Sequence, residues 1–224
     1  PGGTDGYALQ QVTFALAERE KVALVGANGA GKSTLLLALV GILEAAQGKI
    51  VVDGDVLEKK NLPAIRQKLG LLFQNPDDQL FMPTVYDDVL FGPQNYAAAG
   101  ETAQIAEKAD AVLAELGILP LKERMSHKLS GGEKRMAALA SVLVMEPRLL
   151  LMDEPSAFLD PRARRRLAAI LKTLPQGYLI ATHDLNMALD LCSRCIVLSQ
   201  GRLRADGPTA SIINDQKLLD ECGL

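Results

Sequence analysis

The chain has 224 residues and a formal net charge of −3, with 48% of its residues hydrophobic and 23% charged. That balance excludes a disordered chain and speaks against a strongly basic nucleic-acid binder, while the length suits one large domain or a core with a grafted subdomain. Three cysteines, Cys192, Cys195 and Cys222, make no disulfide framework; Cys192 and Cys195 have CxxC spacing but no second pair, so they read as buried thiols in a reducing, cytoplasmic setting.

Along the chain, short apolar strands alternate with helical stretches, the pattern of an α/β fold with a mainly parallel sheet. Pro1-Gly2-Gly3 suggests a trimmed start, and no signal peptide is read there. Tyr7 to Leu16 reads as a strand, and Lys21 to Val25 as another, buried on both faces and ended by Gly26. Lys32 to Val40 reads as a helix. Lys49 to Gly54 reads as a strand closing on turn residues, expected to form an N-terminal antiparallel β subdomain with Tyr7 to Leu16. Lys68 to Phe73 is a further strand.

The middle of the chain changes character. Thr84 to Gly92, Thr102 to Leu116 and Gly131 to Met145 are rich in Ala, Glu, Lys and Leu and predict helices. Residues 75–145 therefore read as a helical subdomain inserted into a core formed by 1–74 and 146–224. Leu149 to Met152 predicts a strand ending in Asp153-Glu154-Pro155. Arg162 to Leu174 predicts a helix, whose Arg162, Arg164, Arg165 and Arg166 read as a solvated face before they read as a patch for an acidic partner. Tyr178 to Ala181 and Ile196 to Ser199 predict strands, and the tail from Thr209 two short helices. The longest apolar runs, such as Leu35 to Leu43, fall well short of the ~20 residues a membrane helix needs. No direct membrane insertion is expected, so a partner must hold the chain at any membrane it serves.

Three motifs carry chemistry. Gly26-Ala27-Asn28-Gly29-Ala30-Gly31-Lys32-Ser33-Thr34 matches G-x-x-x-x-G-K-S between a strand and a helix. Glycines let the backbone approach phosphate oxygens closely, successive amides form an anion nest, and the helix presents its positive end. Lys32 would meet the β/γ-phosphates and the Ser33 hydroxyl would ligate Mg²⁺. The loop alone says only that nucleotide phosphates bind. The second motif is the carboxylate pair at the strand end: Asp153 can hold Mg²⁺ through water, and Glu154 is placed to polarise an attacking water. The third, Leu129-Ser130-Gly131-Gly132-Glu133, opens a helix with free amides, a dipole and a hydroxyl, and so offers a second phosphate-binding end.

With these three motifs in the family's order along the chain, phosphate loop, Leu129 to Glu133, then Asp153-Glu154, the chain resembles the ABC (ATP-binding cassette) ATPase family over essentially its whole length, Glu133 standing where Gln is more usual in the signature. The resemblance implies ATP and Mg²⁺ as ligands, ATP hydrolysis coupled to transmembrane transport, and a head-to-tail pair of cassettes. In such a pair Ser130, Gly131, Gly132 and Glu133 of one chain close over ATP held by the other. It further implies Walker A at Gly26 to Thr34, Asp153 and Glu154 as the Mg²⁺-holding aspartate and catalytic glutamate, and Gln74 as the glutamine sensing Mg²⁺ and water. His183 becomes the switch histidine, Asp160 the end of the D-loop Ser156 to Asp160, and Tyr7 the aromatic stacking on adenine.

Finer detail comes from Phe73 to Val85 and from Phe91-Gly92-Pro93, which resemble the energy-coupling-factor importer ATPases. Phe158 within Ser156 to Asp160 resembles the cobalt/nickel branch of that group. The resemblance implies a homodimer of cassettes under transmembrane importer subunits, peripheral at the cytoplasmic face of the membrane, powering cobalt or nickel import. No nucleic-acid partner is expected, and the metal cargo has no His/Cys/carboxylate cluster here. Leu80, Phe81, Met82 and Val85 are expected to offer an apolar docking surface to a membrane partner. The alternatives are the ATPase of another importer or exporter and, from a different class, a soluble ABC protein acting on nucleic acid. The latter would want tandem cassettes, coiled-coil insertions or a basic face.

Overall fold

The computed structural model describes residues 7–96 and 102–224; the Pro1-Gly2-Gly3 start and residues 97–101 of the predicted helical subdomain lie outside the described residues. In chain order the elements are β1 (Lys21–Val25), α1 (Lys32–Leu39), β2 (Val51–Val52), β3 (Asp55–Val56), α2 (Leu62–Lys68) and β4 (Leu69–Leu72). Next come α3 (Val85–Tyr96), α4 (Thr102–Glu115), α5 (Gly131–Leu143), β5 (Leu149–Asp153), α6 (Pro161–Thr173) and β6 (Gly177–Thr182). The chain closes with α7 (Leu185–Leu191), β7 (Arg194–Ser199), β8 (Arg202–Pro208), α8 (Thr209–Ile213) and α9 (Gln216–Cys222).

Six strands form one sheet in the order β4-β5-β6-β1-β7-β8. β5, β6, β1 and β7 run parallel, and β8 returns antiparallel on β7. Central strands of such a sheet are covered on both faces, which is why Val22, Ala23, Leu24 and Val25 are all fully buried. Each fully buried Val or Leu there contributes roughly 1.5–3 kcal/mol. Leu35 and Leu36 of α1 pack into the same core with Ile65, Leu151, Leu179 and Ile196. β8 escapes prediction because it has no apolar run: it alternates half-buried with exposed residues along an edge, and carries Gly207 and Pro208.

By contacts the chain divides into two units. The first holds residues through Leu71, Arg148–Glu154 and Pro175–Leu224; the second holds Leu72–Pro147 and Pro155–Leu174. The second unit is built on α3, α4, α5 and α6. In α6 the apolar side chains Leu167 and Leu171 are buried while Arg162, Arg165 and Arg166 are exposed, the two faces of an amphipathic helix. Arg166 is not idle there, since its guanidinium donates to the carbonyls of Leu116 and Gly117 after α4.

One predicted strand does not form. The small antiparallel sheet is the hairpin β2–β3, turned at Asp53-Gly54 with both residues at positive φ (55° and 85°), the signature of a type I′ turn. Tyr7 to Leu16 joins no ladder, and Gln11 breaks the run at φ 53°. Its alternate residues Leu9, Val12, Phe14 and Leu16 do lean on the core. A groove of about 620 Å³ is lined by residues 12–19 and 49–54, and the segment's Gln10 amide donates to Gly201 O (2.8 Å) rather than to the hairpin. Alternation alone sets which face is buried; a strand also needs a neighbour about 5 Å away.

Candidate nucleotide site

β1 delivers the chain to Gly26 in the middle of the sheet, between β6 and β7, at the carboxyl ends of the parallel strands. Open α/β sheets hold their ligands at that end. Gly26 has no room for a side chain, because a Cβ there would lie 2.3 Å from the carbonyl oxygen of Leu198 in β7. Gly31 closes the loop at φ 105°, a conformation that L side chains rarely adopt. No side chain caps α1, so its first-turn amides keep no side-chain acceptor and face the loop as an anion-binding end.

Lys32 is buried at 6% exposure, unusual for a lysine. Its ammonium donates to the carbonyls of Gly26 (2.6 Å) and Ala27 (3.3 Å) and lies 3.7 Å from Glu154 Oε1. Burial pushes its pKa below the ordinary lysine value, and the charges of Glu154 and Asp153 pull it back up. Ser33 is exposed and Thr34 half-buried on the first turn of α1.

Glu154 leaves β5 with φ 41° and anchors its amide on Ala181 O of β6 at 2.8 Å. The carboxylate is buried and points across to the exit of β6. Oε1 accepts from the His183 amide (3.0 Å) and is paired with His183 Nδ1 (2.9 Å). A carboxylate accepts only, so Nδ1 carries the proton in that contact. Oε2 accepts from Thr182 Oγ1 at 3.0 Å. Asp153, half-buried, ends β5 one residue earlier. The first unit thus brings Lys32, Asp153, Glu154 and His183 together, with Ser33 on the adjoining turn.

The remaining candidates lie elsewhere. In the second unit Ser130 N-caps α5 in a reciprocal capping box. Its Oγ accepts from the Glu133 amide (3.4 Å), and Glu133 Oε2 accepts from the Ser130 amide (2.7 Å) and hydroxyl (2.8 Å). Those bonds hold the Glu133 carboxyl below its usual range. Glu133 therefore organises the helix end itself, a duty Gln could share. Asp160 accepts from the Arg162 and Ala163 amides, which keeps its pKa low and starts α6. Gln74 is exposed, and its carbonyl, with that of Phe73, accepts from the guanidinium of Arg135 in α5. Arg135 is almost fully buried, and nothing in its sequence context marked it. Tyr7 is 54% exposed.

The expected docking surface is corrected in part. Leu80 and Val85 are core residues, at 5% and 0% exposure. Phe81 stands out at 64%, stacked edge-on against Phe91 with ring centroids 4.9 Å apart. The loop is held by Asp88, whose Oδ1 accepts from the amides of Phe81 and Met82. Burial raises the Asp88 pKa. Among the described residues no helix is long and apolar enough to cross a membrane.

Comparison with known proteins gives this arrangement its context. Residues 9–157 match the family model described as ABC transporter. A protein of Gloeobacter violaceus named for the same family is 52% identical over 226 residues, covering 100% of this chain and 91% of that one. The energy-coupling factor transporter ATP-binding protein EcfA of Carboxydothermus hydrogenoformans is 43% identical over 97% of this chain and 80% of its own length. Among solved structures, cbiO1 of Clostridium perfringens, part of the ABC transporter complex cbiONQ, superposes with a TM-score of 0.84 at 34% identity over 99% of this chain and 90% of that one. A dimeric ATP-binding cassette bound to ADP and Pi superposes with a TM-score of 0.77 at 28% identity, covering 91% of each chain. With the family's model matched across more than half its length and a relative this similar end to end, the chain belongs to the ABC transporter family, as one of its ATP-binding, ATP-hydrolysing subunits.

Proposed function

We propose that this ATPase forms half of each of two sites in a homodimer and drives a membrane importer of the energy-coupling-factor type, with cobalt or nickel ions as cargo. The observation that carries the site reading is the convergence of Lys32, Glu154 and His183 within hydrogen-bonding or ion-pairing distance at the exits of β1, β5 and β6. Gly26 to Thr34 cradles the phosphates through its backbone and Lys32. Glu154 takes the proton of the attacking water, and His183, fixed through Nδ1, turns Nε2 outward to the γ-phosphate. Tyr7 stacks on adenine. Ser33 and Asp153 offer only oxygen donors, the kind that a hard cation such as Mg²⁺ prefers. Bound there, Mg²⁺ would neutralise phosphate charge as the γ-phosphoryl group leaves.

The second half of each site is the α5 end of the other cassette, with Ser130, Gly131, Gly132 and Glu133 over the partner's ATP and Asp160 beside them. Complementation tests this. Gly131→Asp sets a carboxylate at the helix end, and the site has room for its Cβ, whose nearest neighbour is the Phe158 carbonyl oxygen at 3.9 Å. Lys32→Met disables the loop. Each variant alone should be inactive, but mixing them yields heterodimers with one intact composite site, hence about a quarter of wild-type hydrolysis. A mixture as dead as its parents would refute the shared site.

The importer reading is supported by the EcfA relatives and by the likeness to cbiO1. The cobalt/nickel cargo rests on Phe158 in the Ser156 to Asp160 loop. Phe81 and Phe91 are the apolar surface offered to the membrane subunits, placing the cassette at the cytoplasmic face. Reconstitution with candidate membrane subunits should give ATP-dependent ⁵⁷Co or ⁶³Ni uptake; ATP-dependent uptake of a vitamin instead would overturn the cargo.

A further inference from the structure

The Glu154 carboxylate is held by more than His183. Thr182, the last residue of β6, is fully buried, and its register partner in β1 is Val25, the residue before Gly26. Its hydroxyl makes two bonds. Oγ1 accepts from the Asp184 amide at 3.0 Å and donates to Glu154 Oε2 at 3.0 Å. A hydroxyl has one proton. The amide approaches the oxygen from the chain side, so the proton is left for the carboxylate. The β-branched side chain has few rotamers open to it in a strand, and the two bonds select one of them.

The two oxygens of Glu154 are then unequal. Oε1 meets the His183 amide, His183 Nδ1 and, at 3.7 Å, the Lys32 ammonium. Among the described residues Oε2 accepts a single bond, from Thr182. A carboxylate oxygen can accept about two hydrogen bonds, so Oε2 keeps the acceptor position that a water can use. We propose that Thr182 is a positioning residue for hydrolysis: its hydroxyl fixes the carboxylate plane of Glu154 so that Oε2 presents its remaining lone pair to the attacking water. The inference rests on the reading of Glu154 as the group that receives the water proton. In that step the water O–H bond breaks and its proton goes to Oε2, the water oxygen bonds to the γ-phosphorus, and the bond from that phosphorus to the bridging oxygen breaks, so that ADP leaves with the bonding pair.

The test replaces the hydroxyl without changing the volume and uses steady-state hydrolysis and nucleotide binding by the full chain. Thr182→Val should lower kcat by about tenfold or more, the effect of one lost hydrogen bond to a charged group, with the KM for ATP and the affinity for a fluorescent ATP analogue unchanged. Thr182→Ser keeps donor and acceptor and should restore kcat to within about threefold of wild type. Thr182→Cys, a weak donor of similar size, should fall between them. A merely structural role orders the variants by volume and stability, with Ser worse than Val, and moves KM with kcat; that order overturns the proposal, as does a wild-type kcat for Thr182→Val. Glu154→Gln separates the two readings. If it abolishes turnover while Thr182→Val is normal, only the positioning role fails; if it turns over normally, the assignment of Glu154 fails as well. Should Thr182→Val fold poorly, the ratio of Thr182→Cys to Thr182→Ser decides, since equal kcat values refute donor control.

Discussion

Glu154→Gln separates chemistry from architecture at a single atom. In the native chain Oε1 lies 3.7 Å from the Lys32 ammonium. At an effective dielectric constant near 20, that attraction is about 4 kcal/mol gross, most of it offset by the cost of holding both groups away from water. Lys32 keeps the carbonyls of Gly26 and Ala27 and the nearby charge of Asp153 when the carboxylate is neutralised. The amide oxygen of Gln can still accept from the His183 amide and Nδ1. The expected loss of stability is therefore ~1–3 kcal/mol, a fall of roughly 2–10 °C in thermal midpoint. Turnover, by contrast, loses its base and should drop by about 10²–10⁴-fold. Steady-state phosphate release, equilibrium ATP binding and size-exclusion chromatography with ATP should together show a chain that binds, fails to hydrolyse and accumulates as a dimer. Hydrolysis at the wild-type rate would refute the role of Glu154. Loss of binding along with turnover would recast it as a structural partner of Lys32.

Phe81→Asp places a charge on an exposed ring and should leave folding and basal hydrolysis intact while uncoupling the cassette from its membrane subunits, read as co-purification and stimulated ATPase activity. Leu80→Asp, one residue earlier, buries the charge and should lower the thermal midpoint sharply, because an unpaired carboxylate has no partner in that core. Glu133→Ala breaks the capping box and should cost about 1 kcal/mol, whereas Glu133→Gln, which keeps the acceptor but not the charge, should cost only part of that in a urea titration. The lowered Glu133 pKa makes this contribution present at neutral pH and lost as pH falls through the depressed value, below the ordinary glutamate range. Cys192 and Cys195, buried and with pKa pushed up to about 12 by that burial, should resist a thiol reagent at pH 8 in the native chain and react once it is unfolded.

Local chemistry explains which features were legible in the sequence. The phosphate loop, the acidic strand end and the Ser130 helix start each announce themselves in a few contiguous residues, because glycines, caps and buried apolar runs act over one or two turns. The helices from Val85 to Leu143 and the strands β1, β5, β6 and β7 follow from period and apolar runs in the same way. Features that depend on a neighbour were not legible. Tyr7 to Leu16 has a strand's alternation in part, but Gln11 turns to positive φ and Gln10 bonds to Gly201, so no ladder forms. Leu80 and Phe81 are adjacent and similarly apolar, yet only packing puts one inside and one out. Thr182 falls just past the predicted strand Tyr178 to Ala181, and only the fold brings the Glu154 carboxylate to its hydroxyl; Arg135 sits unmarked in a predicted helix, and only the fold buries it against two carbonyls.

The Arg135 clamp has a mechanical consequence. Ser130 and Arg135 ride on one rigid helix, roughly 7 Å apart along its axis at 1.5 Å per residue. The guanidinium grips the backbone of Phe73 and Gln74 rather than a rotatable side chain, so the joint has little slack. α5 then behaves as a lever. A displacement imposed at its serine end would be passed to the backbone of Phe73 and Gln74 in the same polypeptide. In the proposed dimer, where that end meets the other cassette's nucleotide, each cassette would then feel the other's occupancy through the stiffness of a helix.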